Sequence, residues 1–112
     1  MKYQGLKIGV PKEILAGERR VAATPETVSQ FVKGGAQVLV EAGAGLGSFF
    51  GDEAYREAGA EVLADVREVY ARADLILKVK EPQFHEGLQM HETELLRPGQ
   101  VVIGFCEPLT AA

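Results

Sequence analysis

Ile8-Gly9-Val10-Pro11-Lys12-Glu13 is a short apolar run stopped by a proline, and the charged loop Gly17-Glu18-Arg19-Arg20-Val21-Ala22-Ala23 carries the chain onward to Thr24-Pro25. The run reads as a β-strand from Lys7 to Val10, ended where Pro11 removes a backbone donor. Thr24 suits a helix N-cap and Pro25 the first helical position, and Val28, Phe31 and Val32 then recur at i, i+3 and i+4. Strand, loop and helix in this order open a β-α-β unit. Ligands of open parallel sheets bind beyond the carboxyl ends of the strands, so Lys12, Glu13, Arg19 and Arg20 stand where chemistry is usually placed.

The same alternation continues downstream. Gly34-Gly35 ends the first helix, Gln37 to Glu41 reads as a second strand, and the glycine-rich Gly43-Ala44-Gly45-Leu46-Gly47-Ser48 follows it. Asp52 is placed to cap a short helix that stops at Gly59, and Glu61 to Leu63 is a minor strand. Asp65 and Glu68 have capping-box spacing, and Val66, Val69, Tyr70 and Ala73 line one face of the next helix. A strand from Leu75 to Val79 runs into Lys80-Glu81-Pro82, a short helix is expected from about Gln89 to Leu96, and Val101 to Phe105 forms the last strand. The fold class is therefore α/β, with a mainly parallel sheet covered on both faces, since parallel neighbours need long crossovers. Three strands end near a proline and charge, and if parallel they gather Lys12, Arg19, Arg20, Lys80, Glu13, Glu81 and Glu107 at one edge.

Composition narrows the possible partners. Twelve Lys and Arg against sixteen Asp and Glu leave a net charge of −4 with no basic stripe, which argues against nucleic acid. No apolar run approaches the roughly 18 residues of a membrane span and the start lacks a signal peptide, so direct membrane insertion is not expected and a cytoplasmic location is. The single Cys106 has no disulfide partner within the chain and reads as a small buried hydrophobe.

Each motif also has a plain reading. The glycine run departs from the dinucleotide fingerprint, because Ser48 occupies the third glycine's place and no helix opens at once; a packed turn fits better. His85 and His91 are six residues apart rather than the four that set two imidazoles on one helical face, so they read as surface residues and no metal site is expected. Asp52, Glu53, Arg56 and Glu57 suit a solvated helix face. For Arg19, Arg20 and Lys80 the solvated and functional readings are equally open, although consecutive arginines point in different directions. A guanidinium grips a carboxylate bidentately and an ammonium acts as a compact charge, so together they would suit a small anion.

Ile8-Gly9-Val10-Pro11-Lys12-Glu13, Glu18-Arg19-Arg20-Val21-Ala22-Ala23-Thr24-Pro25, Val40-Glu41-Ala42-Gly43-Ala44-Gly45 and Leu77-Lys78-Val79-Lys80-Glu81-Pro82 occur in this order along nearly the whole chain. In this the chain resembles the N-terminal domain shared by alanine dehydrogenases and NAD(P) transhydrogenase alpha subunits. The resemblance implies a Rossmann-like (flavodoxin-like) three-layer domain over residues 1–112, facing a separate NAD-binding domain that lies beyond this sequence. It also implies that Arg20 and Lys80 bind the pyruvate or alanine carboxylate and carbonyl in an alanine dehydrogenase, and that Glu107 stands at that enzyme's catalytic histidine, so no catalytic residue is assigned. A transhydrogenase passes hydride directly between nicotinamides and needs no such imidazole, and the sequence resembles that branch more.

The expected function is thus the N-terminal domain of the NAD(H)-binding alpha subunit of a proton-translocating NAD(P) transhydrogenase. Alternatives are a fragment of an alanine dehydrogenase and a non-catalytic interaction module. NAD(H) is expected in the full-length protein and no cofactor on this chain alone, which is expected to be inactive by itself. The implied partners are membrane and NADP-binding subunits, with a homodimer possible and the assembly peripheral to the inner membrane.

Overall fold

The computed structural model describes residues 3–80 and 82–104. Strand β1 (Lys7–Val10) lies at the middle of a five-stranded sheet, flanked by β2 (Gln37–Glu41) and, beyond it, β3 (Glu61–Leu63) on one side. On the other side come β4 (Leu75–Lys78) and β7 (Val101–Gly104), and all four pairings are parallel. Between β4 and β7 the chain makes a small antiparallel hairpin, β5 (Phe84–His85) with β6 (Met90–His91). Counted along the chain, the strands of the main sheet have the order 3-2-1-4-5 of a Rossmann fold.

Strand alternation divides the core into two halves. Ile8, Val10, Val38, Val40 and Leu77 pack on one face against Val28 of α1 (Pro25–Lys33) and Tyr55 of α2 (Asp52–Glu57). On the other face Leu39 and Ile76 meet α3 (Val66–Arg72) through Val66, Val69 and Tyr70. A β-carbon on Gly9 would lie 2.8 Å from that of Ala73 and 2.9 Å from Val69 Cγ1, so the glycine is what lets α3 and the segment after it approach β1.

The local signals act largely as the sequence anticipates. Thr24 caps α1 by accepting from the Thr27 N–H, Pro25 opens the helix, and Gly35 (φ 99°) turns the chain out after it. Asp65 caps α3 through the Arg67 N–H at 2.9 Å. At α2 the cap is Gly51 instead, and Asp52, the first helical residue, accepts from the Gly43 N–H at 2.8 Å, tying the helix to the glycine-rich turn.

The expected helix from Gln89 to Leu96 is replaced by β6 and a 3-10 turn over Glu92–Leu95. Gln89 takes a left-handed conformation (φ 55°), which closes the hairpin, and His91 begins the turn with its own capping box. β4 ends one residue earlier than expected, at Lys78. Glu81, Cys106, Glu107 and the expected last strand residue Phe105 lie outside the described residues. Among the described residues no helix is long and apolar enough to cross a membrane.

Candidate functional site

In this strand order the chain leaves β1 toward β2 on one side and β4 toward β7 on the other, so the crevice beyond the ends of β1 and β4 is the sheet's switch point. Two segments shape it: the loop from Pro11 to Ala23 and the residues that follow Lys78. The loop borders a cleft of about 410 Å³ lined by Lys12, Glu13, Glu18, Arg19, Arg20 and the turn from Gly43 to Gly47. Of the charged residues that sequence reasoning gathered at one edge, Lys12, Glu13, Arg19 and Arg20 line this cleft, while Glu81 and Glu107 lie outside the described residues.

The loop is held from outside. Ser48 Oγ donates to the Arg19 carbonyl at 2.7 Å, and a β-carbon on Gly47 would come within 2.7 Å of the same oxygen. A β-carbon on Gly45 would strike Tyr55 Cε2 at 2.6 Å. These glycines serve close packing, in agreement with the packed turn read from the sequence.

Arg20 lines the cleft already engaged by a carboxylate. Its Nε and Nη2 donate to the two oxygens of Glu18 at 2.8 and 2.9 Å, and its backbone N–H adds a third bond at 2.9 Å. The Glu18 side chain keeps only 6% of its surface exposed, and these bonds, with the further charge of Lys80, hold its carboxyl down to about 2. Glu18 is the partner sequence reasoning missed; its place two residues from Arg20, on the same side of an extended segment, was the available signal. Arg19 is exposed and also lines the cleft.

Lys80 belongs to the same wall. It is half-buried, its charge is felt by Glu18, and its backbone N–H donates to Glu13 Oε1 at 3.1 Å. Among the described residues its ammonium enters no ion pair within 4.0 Å. Beneath it lies a second group that the sequence did not reveal. Lys78 Nζ is fully buried and sits 3.2 Å from Glu13 Oε1 and 3.4 Å from Glu92 Oε1, both carboxylates being buried too. Tyr70 OH donates to Glu92 Oε2 at 3.4 Å, and burial together with that carboxylate raises the phenol far above its usual range, so it remains a donor.

At the end of β2, Glu41 accepts from the Lys12 N–H at 2.8 Å. Burial raises its carboxyl above the ordinary 4.5, against the lowering effects of that hydrogen bond and of His85 and Lys12. A raised carboxyl favours the neutral form in the fold, so its contribution is most favourable at low pH and is lost as pH rises through the folded value. Glu41→Gln, which imitates the neutral form and keeps an acceptor, is expected to melt a few degrees above the parent at pH 7 and at the same temperature near pH 4. Equal melting of the two proteins at pH 7 would remove the burial penalty assigned to Glu41.

The histidines are occupied locally: His85 Nδ1 accepts from the Leu88 N–H at 3.1 Å, and His91 Nδ1 lies 2.8 Å from Thr93 Oγ1. Among the described residues no three His, Cys, Asp or Glu are grouped so as to hold a metal. Nor do these residues fit a dinucleotide by themselves. The turn after β2 has Gly45 and Gly47 packed against Tyr55 and Arg19, and the N-terminus of α1 is capped by Thr24 and begins with proline. The wall offers charge, without the backbone cradle that a pyrophosphate needs.

Residues 9–112 match the family described as alanine dehydrogenase/PNT, N-terminal domain. The chain is 49% identical over 98 residues to an alanine dehydrogenase of Methanococcus maripaludis, covering 88% of this chain and 25% of the relative. It is 43% identical over 103 residues to the NAD(P) transhydrogenase subunit alpha of Cereibacter sphaeroides, covering 92% and 18%. A solved L-alanine dehydrogenase superposes with a TM-score of 0.77 at 31% identity, over 96% of this chain and 27% of that one. The chain thus spans a quarter or less of the length of these two curated relatives.

Proposed function

Because the chain belongs to the alanine dehydrogenase/PNT N-terminal domain family, a group of oxidoreductase domains, we propose that it forms one wall of an interdomain cleft in an NAD(P) transhydrogenase alpha subunit. In this reading a further domain of the full-length protein holds NAD(H), and hydride passes between NAD(H) and NADP(H) in an assembly with membrane and NADP-binding subunits at the cytoplasmic side of the inner membrane. The observation that carries it is the closure of Arg20 by Glu18. A guanidinium grips a carboxylate edge-on through Nε and Nη2 or end-on through its two terminal nitrogens, and here Glu18 occupies the edge-on pair. Glu107, at the place where the resemblance puts an alanine dehydrogenase's imidazole, supports the same reading. Direct transfer between two nicotinamides requires neither a carboxylate clamp nor an acid/base group. Arg20 and Lys80 are then the charged face of the cleft.

Oxidation of alanine is the second reading, favoured by the higher identity to the alanine dehydrogenase, 49% against 43%. There the substrate carboxylate would either displace Glu18 from the Nε–Nη2 edge of Arg20 or approach the guanidinium end-on. The full-length protein, assayed with its partner subunits, is expected to reduce an NAD⁺ analogue with NADPH at a rate indifferent to added alanine. Alanine-dependent formation of NADH and pyruvate, falling at least tenfold in Lys80→Ala, would replace the first reading by the second.

A further inference from the structure

Lys80 combines a fixed base with a tip that, among the described residues, enters no ion pair. The backbone on either side of it is anchored by two buried carboxylates: Glu13 Oε2 accepts from the Val79 N–H at 2.8 Å and Glu13 Oε1 from the Lys80 N–H at 3.1 Å. Beyond it, Glu92 Oε1 accepts from the Gln83 N–H at 2.8 Å. Lys78 sits between the two carboxylates and cross-links them. Glu13 itself comes from the loop that carries Arg19 and Arg20, so a single carboxylate sets the distance between the two halves of the crevice.

Stability alone does not account for this arrangement. A buried lysine between two carboxylates costs desolvation that its attractions roughly offset, and apolar side chains of similar volume hold such a junction as well or better. Apolar groups could not bind the N–H groups of residues 79, 80 and 83, which follow the end of β4 and, among the described residues, are received by these two carboxylates. Catalytic and binding groups work when their own origin is locked by such outer hydrogen bonds.

We propose that Glu13 is a positioning residue for Lys80, acting through the backbone it holds rather than by touching a ligand. The proposal rests on the reading of Lys80 as part of the working wall, and a double-mutant cycle separates the two. Glu13→Gln, Lys80→Ala and the double variant are compared in the full-length protein by steady-state hydride transfer and by KM for NADH. Glu13→Gln keeps one acceptor oxygen and is expected to lower kcat about tenfold with KM for NADH unchanged. The double variant is expected to match Lys80→Ala within twofold, because a positioning residue has nothing left to place.

Additive losses in the double variant would overturn the positioning role and leave Lys80 in the site. Parent-like activity of Lys80→Ala would overturn the reading of the wall, and the proposal with it. Should Glu13→Gln fail to fold, Glu13→Asp serves in the same cycle, since it retains the charge beside Lys78 and shortens the reach to the two N–H groups. It is held to the same outcomes.

Discussion

Lys78→Met is expected to lower the unfolding free energy by about 3–5 kcal/mol, the cost of removing one partner from a buried ion pair. Methionine keeps the length of the side chain and fills the same volume among Glu13, Glu92 and Tyr70, so packing loss is small and the electrostatic loss stands alone. Glu13 and Glu92 would be left as two buried carboxylates with no cation between them. Urea unfolding should show a lower midpoint with an unchanged slope, the sign of lost stability without a change in exposed surface. Replacing Glu13 and Glu92 by leucine in the same protein should recover only part of the loss, because both carboxylates also receive backbone N–H groups. A Lys78→Met protein within about 1 kcal/mol of the parent would show that the cluster does not depend on its positive charge.

Gly47→Ala should act on the site more than on the fold. Gly47 has no positive φ, so alanine suits its backbone, yet the new carbon would lie 2.7 Å from the Arg19 oxygen and 3.0 Å from Arg19 Cα. Those are main-chain atoms of a loop, which cannot rotate aside as a side chain would, so the loop must lift and loosen the bond from Ser48 Oγ. Overpacking of this kind costs about 1–3 kcal/mol. The displacement falls on the segment Glu18-Arg19-Arg20, where a shift near 1 Å is worth on the order of 10²-fold in rate. In the full-length protein, kcat/KM for hydride transfer should fall on that scale while thermal melting drops modestly. Gly51→Ala is the control for activity: its added carbon meets nothing within 4 Å, so hydride transfer should match the parent, with only the modest stability loss of alanine at the α2 N-cap. Undiminished activity in Gly47→Ala would mean that the position of the Arg19–Arg20 loop is immaterial to the reaction.

The frame of the fold was legible because its signals are local. Pro11, Thr24-Pro25, Gly34-Gly35 and Asp65 each act within a few residues, and the apolar runs at β1, β2 and β4 are buried on both faces, as strands of a covered parallel sheet are. The residues around Lys78 were not, because their meaning is long-range. Lys78 reads as the polar end of an apolar strand until Glu13 and Glu92 are placed beside it, and a lysine at the end of a buried strand was the available hint that a partner was required. The same interaction explains the lost helix at 89–96. Glu92 is drawn inward to Lys78 and Gln83 rather than outward on a helical face, and the local apolar spacing yields to that demand. Arg20 and Lys80 were placed at one edge by topology alone; the closure of Arg20 by Glu18 depends on the loop's own conformation, which no periodicity encodes.

The central place of β1 also orders events in time. It is the first of these strands to leave the ribosome, yet its two neighbours arrive far apart in the chain: Ile8 pairs with Val38 on one side and with Leu75 on the other. During synthesis β1 can close against β2 early, but its second edge stays open until β4 has been made, with α3 delivered between them. Parallel pairings of this reach are slow to form and leave strand edges exposed meanwhile. The nascent chain therefore passes through a stage in which an apolar strand is half-paired, and Glu13, waiting at the end of that strand, has none of the three groups it will later hold. The crevice is assembled only when the last-made wall reaches the first-made strand.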